Sequence, residues 1–417
     1  EPVVVAKGHT VSAGDEEKCV LDRPLDPCVL IILGASGDLT SRKLVPALYN
    51  LFRMGGLPEP FRIVGCGRTH MSDEGFREKM RASISGDGDD PEKWEAFKPS
   101  LHYRTLEYDS LGSYNELSDY LNSLDSDAGT KGNRIYYLAL PMFLHGTAAG
   151  LLGTSGLARE KKGGWTRLVV EKPYGSDLRS AEELDRVIHE GFREEQIYRI
   201  DHYLAKETVQ NILTLRFANA IFEPLWNRNY IESVDIVAAE TLGVENRAGY
   251  YDKAGVLRDM FQNHMLQLLA LTAMEPPHRF QSGAVHQEKI KVFQCLRPFP
   301  VDNIFENLVL GQYGHGVVDG QPVKGYREEE EVNPDSMTPT FGMMQALIDN
   351  WRWKGVPFFL TSGKRLGAKL TRIAIKFREV PVTMFGGDLG MPISPNLLTL
   401  GIQPREHISL TFQTKTP

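Results

Sequence analysis

The feature that most constrains the fold is an apolar run of strand length followed at once by a glycine turn and a helix. Residues 28–33 are continuously apolar, and large apolar residues recur at helical spacing from Leu44 to Phe52. Glycines between a strand and a helix let the backbone approach a pyrophosphate, which then lies at the positive end of the helix. The turn departs from the common G-x-G-x-x-G pattern, because its second glycine comes three residues after the first. Eight residues of the turn are candidates for dinucleotide binding: Gly34, Ala35, Ser36, Gly37, Asp38, Leu39, Thr40 and Ser41.

The end of the next predicted strand indicates which dinucleotide binds. Folds that prefer NAD usually place an acidic residue there, and its carboxylate holds the ribose hydroxyls. Residues 61–65 form the predicted strand, and Gly67, Arg68 and Thr69 follow it. An arginine with a hydroxyl neighbour suits a 2′-phosphate, so the sequence favours NADP. The alternative is that Arg68 is an ordinary surface arginine.

Two further predicted strands extend this pattern into a Rossmann-like α/β coenzyme domain. Residues 134–140 and 166–170 have strand character, and a proline follows each of them closely. In a doubly wound sheet, ligands bind beyond the carboxyl ends of the strands. Tyr137 and Lys172 lie at or near two such ends and are candidate coenzyme contacts. Pro173 restricts Lys172 to an extended backbone.

Residues 199–207, with the sequence RIDHYLAKE, place an acid, an imidazole, a phenol and an ammonium close together. We expect a helix from about Asp201, which would set His202 and Lys206 side by side on one face. Tyr203 lies between them. A helix N-terminus adds unsatisfied N–H groups, so this face would suit a phosphate. The alternative is a solvated helix start.

Residues 255–271 read as an amphipathic helix with one apolar face. Asp259 and His264 are five residues apart on it, roughly 140° around an α-helix, so we expect that they cannot point at one atom and instead straddle a bound sugar. A lone histidine on such a helix is more often a core residue than a catalyst. Residues 372–377 and 407–412 alternate apolar and polar side chains, as in a sheet with one buried face.

Six segments resemble, in order and spacing, motifs of the glucose-6-phosphate dehydrogenase family. They are GASGDL from 34, EKPYG from 171, RIDHYLAKE from 199, RDMFQNH from 258, SGKRLGAK from 362 and IQP from 402. The resemblance runs from about residue 28 to the end of the chain. It implies an NADP-binding Rossmann-like domain over residues 28–201 and a larger α+β substrate and dimerisation domain over 202–417, with a mostly antiparallel sheet.

The resemblance also implies the roles of individual residues. His264 matches the general base that removes the proton of the sugar C1 hydroxyl while hydride passes to NADP, and Asp201 matches its carboxylate partner. Nine further positions match residues that bind glucose 6-phosphate: Lys172, His202, Tyr203, Lys206, Glu240, Asp259, Lys364, Lys369 and Gln403. Lys172 is shared with the nicotinamide. A homodimer or homotetramer is implied as well.

Composition excludes several other classes of protein. A net charge of −7 and a pI near 5.9 argue against a nucleic-acid partner, which usually meets a basic face. The longest apolar stretches, such as residues 266–274, are too short to span a bilayer, so no membrane partner is expected. The 4 cysteines have no CxxC or metal-ligand spacing, so we expect no metal and a cytoplasmic location.

Residues 1–27 carry few helix or strand signals and are expected to form an extension. Cys19 lies there, and the open alternatives for it are a redox switch with Cys28 or an inert thiol. Two alternatives also remain for the whole chain. One is another NAD(P)-dependent sugar dehydrogenase, and the other is an NADPH-sensing module without catalysis.

Overall fold

The computed structural model describes residues 25–84, 90–299, 301–318, 320–381 and 394–414. The chain divides into two compact units, Glu1–Ile200 and Asp201–Pro417. The division falls one residue before the expected domain boundary, so that Asp201 belongs to the second unit. The functional assignment of the two domains and the extension over residues 1–27 stay predictions, and Cys19 lies outside the described residues.

The first unit is built on a six-stranded parallel sheet with the order β3-β2-β1-β4-β5-β6. Its strands are β1 Cys28–Leu33, β2 Phe61–Gly67, β3 Leu101–Thr105, β4 Arg134–Leu138, β5 Thr166–Val170 and β6 Ile197–Arg199. The chain reverses direction across the sheet between β1 and β4, which makes their carboxyl ends the switch point where ligands bind. The predicted Rossmann-like fold is confirmed.

Helices cover both faces of this sheet. They are α1 Val45–Arg53, α2 Asp73–Arg81, α3 Pro91–Phe97, α4 Leu111–Ala128, α5 His145–Thr154 and α6 Leu178–Gly191. Alternate residues of β1 enter two different apolar cores, since Val29 and Ile31 pack with one and Leu30 and Ile32 with the other. A strand buried on both faces reads as a continuous apolar run, which is why the sequence pattern of β1 was clear.

The second unit contains a seven-stranded sheet with the order β15-β14-β13-β7-β12-β11-β8 and a small hairpin of β9 and β10. The strands are β7 Ile231–Ala239, β8 Leu308–Gly311, β9 Gly316–Val318, β10 Gln321–Val323, β11 Phe341–Leu347, β12 Pro357–Gly363, β13 Leu370–Phe377, β14 Leu397–Gln403 and β15 His407–Leu410. Only β7 and β12 pair in parallel among the seven described strands. The predicted mostly antiparallel sheet is therefore confirmed.

The helices of the second unit pack against its main apolar core. They are α7 Glu207–Phe217, α8 Ala248–Val256, α9 Leu266–Ala273 and α10 Ser282–Gln294, with a π-helix over Leu257–Met265 that joins α8 to α9. Met260, Phe261, Met265 and Leu268 are buried in this core, as their spacing predicted. Among the described helices, none has the length and apolar composition needed to cross a bilayer.

A buried arginine ties α7 to the end of α9. Arg216 is fully buried, and its guanidinium donates to the carbonyl oxygens of Leu271 and Thr272 at 3.1 Å and of Met274 at 2.8 Å. These carbonyls belong to the last turn of a helix and its exit, where intrahelical donors run out. A carboxylate oxygen of Glu223 accepts from the same guanidinium at 3.1 Å. Burial lowers the pKa of Arg216 to about 10, against the effect of Glu223, so the group remains a cation at neutral pH.

We expect Arg216→Met to destabilise the second unit by about 3–5 kcal/mol, because it leaves the buried carbonyls of Leu271 and Met274 without donors and removes the buried partner of Glu223. The measurement is the midpoint of thermal unfolding by calorimetry. Arg297→Met is the matched control, since Arg297 pairs with Asp349 on the surface and such pairs contribute little. Equal shifts for the two variants would contradict the anchoring role of Arg216.

Candidate active site

The second unit holds a buried histidine hydrogen-bonded to a carboxylate. His264 is fully buried, and its Nδ1 lies 2.6 Å from Oδ1 of Asp201. The same oxygen accepts from the backbone N–H of Tyr203 at 2.9 Å. Since a carboxylate accepts, the proton between the two side chains belongs on Nδ1, which leaves Nε2 as the basic nitrogen.

Asp201 is ionised in this environment. Burial by itself raises the pKa of its carboxyl group, but the hydrogen bond and charge of His264, the Tyr203 N–H and the charge of His202 outweigh burial. The net effect holds the pKa of Asp201 below its ordinary value of 3.8. A permanently ionised carboxylate beside an imidazole fixes the tautomer of the ring and stabilises its protonated form.

The expected helix start at Asp201 is wrong. Residues 201–206 form turns, and α7 begins only at Glu207, with Lys206 as the residue before its first turn. The reason is local, because the Asp201 side chain captures the Tyr203 N–H and the Leu204 N–H bonds to the Asp201 carbonyl at 3.0 Å. Aspartate often replaces helical bonds by such a turn.

This turn wraps two aromatic rings around His264. The ring of Tyr203 stacks on the imidazole with centroids 4.3 Å apart and an angle of 18°, and the ring of His202 meets it edge-on at 4.5 Å. Tyr203 is buried, which raises the pKa of its hydroxyl, while the Thr371 side chain acts in the opposite direction. The stacked ring restricts the imidazole to one plane, while His202 stays exposed.

The expected 140° separation of Asp259 and His264 is also wrong, because both residues lie in the π-helix Leu257–Met265. A π-helix bonds each N–H to the carbonyl five residues earlier, so residues five apart lie near each other on one face. Asp259 and His264 are both buried. The charge of Asp259 acts on Tyr203, whose ring stacks on His264, as expected for side chains on the same face.

Glu240, Lys364 and Asp259 gather around Tyr251. Lys364 Nζ donates to a carboxylate oxygen of Glu240 and lies 5.2 Å from the centroid of the Tyr251 ring. Burial, followed by the charge of Asp259, raises the pKa of Tyr251, and Glu240 adds to the effect. Arg247 reaches Asp259 at 3.8 Å. The sequence had not marked Tyr251 or Arg247.

Lys206 and Lys369 bring like charges together near Tyr203. Lys206 Nζ lies 4.2 Å above the Tyr203 ring. Burial and then the charge of Lys369 lower the pKa of Lys206, while Glu406 opposes them. Gln403 ends β14 opposite Thr371 of β13, whose side chain acts on the pKa of Tyr203. Two lysines that repel each other form a natural site for an anion.

Ligand-type atoms of Asp201, His202 and His264 lie within 4.8 Å of one another, a spacing that a metal ion could share. The expectation of no metal rested on cysteine spacing alone and did not consider this group. Two members of this group, Asp201 and His264, are also joined by the hydrogen bond described above.

The first unit has a cavity of about 610 Å³ beyond the carboxyl ends of its strands. Gly34, Ser36, Gly37 and Arg68 line it, and all four were candidates from the sequence. Its size and place fit a dinucleotide. Gly34 has a φ of +98°, and a Cβ there would lie 2.1 Å from the Ala139 carbonyl oxygen, so only glycine fits where β1 meets the end of β4.

The other coenzyme candidates do not line this cavity. Ala35 and Thr40 are buried, and the Thr40 hydroxyl donates to the Gly34 carbonyl at 3.4 Å. Three other positions of the turn lie at the surface: Asp38 pairs with Arg42, Leu39 is exposed, and the Ser41 hydroxyl donates to the Gly37 carbonyl. Tyr137 donates to Glu171. Lys172 precedes Pro173 at the end of β5. Their coenzyme roles stay predictions.

Sequence reasoning missed the contribution of β3 to this cavity. Glu107, Tyr108 and Asp109 follow that strand and line the cavity, and Phe143 joins them from the segment after β4. The rule that ligands bind beyond strand ends would have found the first three. It could not be applied, because residues 101–105 mix histidine, tyrosine and arginine and were not predicted as a strand.

Both halves of the chain match a known family by sequence. Residues 31–211 match the profile described as glucose-6-phosphate dehydrogenase, NAD binding domain, and residues 213–417 match glucose-6-phosphate dehydrogenase, C-terminal domain. A glucose-6-phosphate 1-dehydrogenase of Aggregatibacter actinomycetemcomitans is 49% identical over 391 residues, which is 94% of this chain and 78% of that protein. One from Bacillus subtilis is 45% identical over 387 residues, covering 93% and 78%.

Solved structures agree with the sequence matches. A glucose-6-phosphate dehydrogenase in complex with its substrate glucose 6-phosphate has a TM-score of 0.85 and 37% identity, over 95% of this chain and 80% of that one. A glucose-6-phosphate 1-dehydrogenase from Mycobacterium avium has a TM-score of 0.81 and 32% identity, over 94% and 81%. The chain therefore belongs to the glucose-6-phosphate dehydrogenase family.

Proposed function

We propose that this oxidoreductase converts D-glucose 6-phosphate to 6-phospho-D-glucono-1,5-lactone with formation of NADPH, the first step of the oxidative pentose phosphate pathway. The observation that carries the proposal is the buried hydrogen bond between His264 and Asp201, which joins the RIDHYLAKE and RDMFQNH segments. These are the segments on which the family resemblance is most specific. The two relatives with the matching name share most of the chain.

His264 is the general base. Its Nδ1 faces Asp201, so Nε2 takes the proton of the sugar C1 hydroxyl. Asp201 stays ionised, holds this tautomer and stabilises the imidazolium that forms. Tyr203 keeps the imidazole ring in one plane by stacking on it. Bound NADP supplies the acceptor for the hydride that leaves C1.

Lys206 and Lys369 bind the phosphate of the sugar, with His202 and the Tyr203 region beside them. The support is electrostatic, because burial and then the charge of Lys369 lower the pKa of Lys206. A phosphate dianion would relieve that repulsion and gain charge-assisted hydrogen bonds. The Tyr203 ring stacks on His264, so we assign Tyr203 mainly to the imidazole.

Glu240 and Asp259 accept hydrogen bonds from the sugar hydroxyls. Lys364, which pairs with Glu240, orients that carboxylate, and Gln403 adds an amide from the end of β14. Lys172 is assigned to substrate and nicotinamide from its place in the EKPYG segment. Carboxylates suit hydroxyl donors because an ionised oxygen accepts strong hydrogen bonds.

NADP is held by the cavity of the first unit, with Arg68 at the end of β2 as the residue for the 2′-phosphate. We place the enzyme in the cytoplasm, in line with the absence of paired cysteine spacing in the sequence. We also propose a homodimer or homotetramer. Ile408 and Phe412 are 53% and 66% exposed at the β15 edge of the large sheet, which suits coverage by another subunit. The mass of the protein in solution distinguishes a dimer from a tetramer.

The two other interpretations are not favoured. A coenzyme-sensing module has no use for a base with an ionised partner, and another sugar dehydrogenase has no use for the two lysines at a phosphate position. Both alternatives also conflict with relatives of one name over more than nine-tenths of the chain.

We expect His264→Asn to lower kcat by about 10²- to 10⁴-fold with little change in KM, because it removes the base and keeps the polar shape of the ring edge. The measurement is initial rates of NADPH formation at varied glucose 6-phosphate. His286→Asn, which changes an exposed histidine of α10, should leave both constants unchanged. A variant with a raised KM and an intact kcat would remove His264 from the role of base.

We expect Lys206→Ala to raise KM for glucose 6-phosphate by about 10- to 150-fold, because one charged hydrogen bond to the phosphate is lost. The test measures NADPH absorbance with glucose 6-phosphate and with glucose, and with NAD in parallel. Wild type should strongly prefer the phosphorylated sugar, and the variant should lose most of that preference. Lys354→Ala is the control on the surface. Equal use of both sugars by the wild type would refute the proposed substrate.

We expect the stability difference between wild type and Asp201→Asn to shrink in acid. The folded pKa of Asp201 is depressed, so its contribution is fully present above the ordinary value of 3.8 and is lost as pH falls through the folded pKa. The difference in unfolding midpoint should thus shrink as the pH falls below about 4. Thermal unfolding across this range measures it. Shrinkage already near neutral pH would show that the carboxylate is not the ionised partner.

A further inference from the structure

The carboxyl end of β2 in the first unit is packed tightly around Ser36. A Cβ on Gly67 would lie 3.1 Å from the Ser36 hydroxyl oxygen and 2.8 Å from the Tyr103 hydroxyl oxygen. Tyr103 in turn donates to the Thr69 carbonyl at 2.7 Å. Ser36 and Thr69 are therefore held at the strand end that also carries Arg68, where a dinucleotide places its ribose 2′ position.

A lysine reaches this point from α2. Gly65 has no side chain, and a Cβ there would lie 2.7 Å from Phe76 and 2.9 Å from Ala35, so α2 packs directly against the glycine turn. Lys79 lies one turn after Phe76 on the same face. Its Nζ donates to the Ser36 carbonyl oxygen at 2.7 Å in a partly buried setting. An ammonium carries three N–H groups, so one bond to a carbonyl leaves donors for a phosphate oxygen.

The charges around the cavity show why a second cation matters. Glu107 and Asp109 line the cavity, and the backbone N–H of Leu106 bonds to the Gly67 carbonyl at 3.0 Å, which puts this acidic segment beside the end of β2. Arg68 lies there as well, 5.8 Å above the Tyr108 ring. A phosphate monoester carries close to two negative charges at neutral pH. Against two carboxylates, Arg68 alone would leave the 2′-phosphate in a net repulsive field.

We propose that Lys79 is a positioning residue that sets the preference for NADP over NAD, by holding the Ser36 carbonyl and adding a second positive charge at the 2′-phosphate position. This inference rests on the proposed coenzyme role of the cavity. It predicts that removing the charge of Lys79 weakens the binding of ligands that carry a 2′-phosphate and leaves the binding of matched ligands without it unchanged.

The test compares Lys79→Met with Lys79→Arg and with Lys162→Met, which removes an exposed lysine ahead of β5. Calorimetric titration with adenosine 2′,5′-bisphosphate and with AMP isolates the 2′-phosphate. Steady-state rates then give KM and kcat for NADP and NAD. For Lys79→Met we expect the Kd for the bisphosphate and the KM for NADP to rise roughly 5- to 20-fold. The Kd for AMP, the KM for NAD and kcat should each stay within about twofold of the wild-type value. Lys79→Arg should restore most of the difference, and Lys162→Met should behave as wild type.

Two results would overturn the proposal. Equal weakening of both members of each ligand pair would mean that Lys79 only supports the fold of the turn, and no change in either would mean that its charge is not felt at the site. A failure of the proposed function is a separate result. In that case the wild type itself would bind the bisphosphate no more tightly than AMP and would form no NADPH.

Discussion

The geometry of the site depends on the π-helix Leu257–Met265. An α-helix would turn Asp259 and His264 away from each other, whereas the wider turn sets them on one face. The apolar residues of the same stretch remain in the core, so the wider turn does not sacrifice packing. The cation of Arg216 then fixes the end of α9, the helix that continues from this stretch. Core packing and the position of the base are thus set by one continuous helical segment.

A buried histidine beside a carboxylate is costly to form and useful once formed. Its polar atoms have to be satisfied by the protein, and Asp201, held by the Tyr203 N–H, does so at Nδ1. The carboxylate is itself kept ionised by this hydrogen bonding in spite of its burial. Because these partners are fixed before a ligand arrives, little reorganisation is needed when the imidazole becomes positive.

Much of the fold could be predicted from the sequence, and the limits have physical causes. The strand β1 is buried on both faces, so its continuous apolar run is visible in the sequence. The strand β3 carries partly buried polar side chains, which obscure the alternation typical of a strand. Motifs named the candidate residues of the site, but they did not predict the local geometry of those residues. A side-chain bond at Asp201 replaces the expected helix start, and the apolar spacing of residues 257–265 did not distinguish a π-helix from an α-helix. The contact from Lys79 to Ser36 joins residues 43 positions apart, beyond any local pattern.

In the proposed function, the residues that bind phosphate groups are separate from the residue that acts as the base. Each proposed ligand has a phosphate remote from the reacting carbon, and we assign cations to that phosphate in each unit, Lys206 and Lys369 in one and Arg68 and Lys79 in the other. Contacts to such a phosphate are equally strong in the ground state and the transition state, so they govern affinity and selection. In the proposed mechanism, the proton of the C1 hydroxyl is transferred only during the reaction, and the hydrogen-bonded imidazole of His264 accepts it. A phosphate site can therefore be retuned for another ligand without disturbing the base, which is how one catalytic pair can serve coenzymes that differ only at the ribose 2′ position.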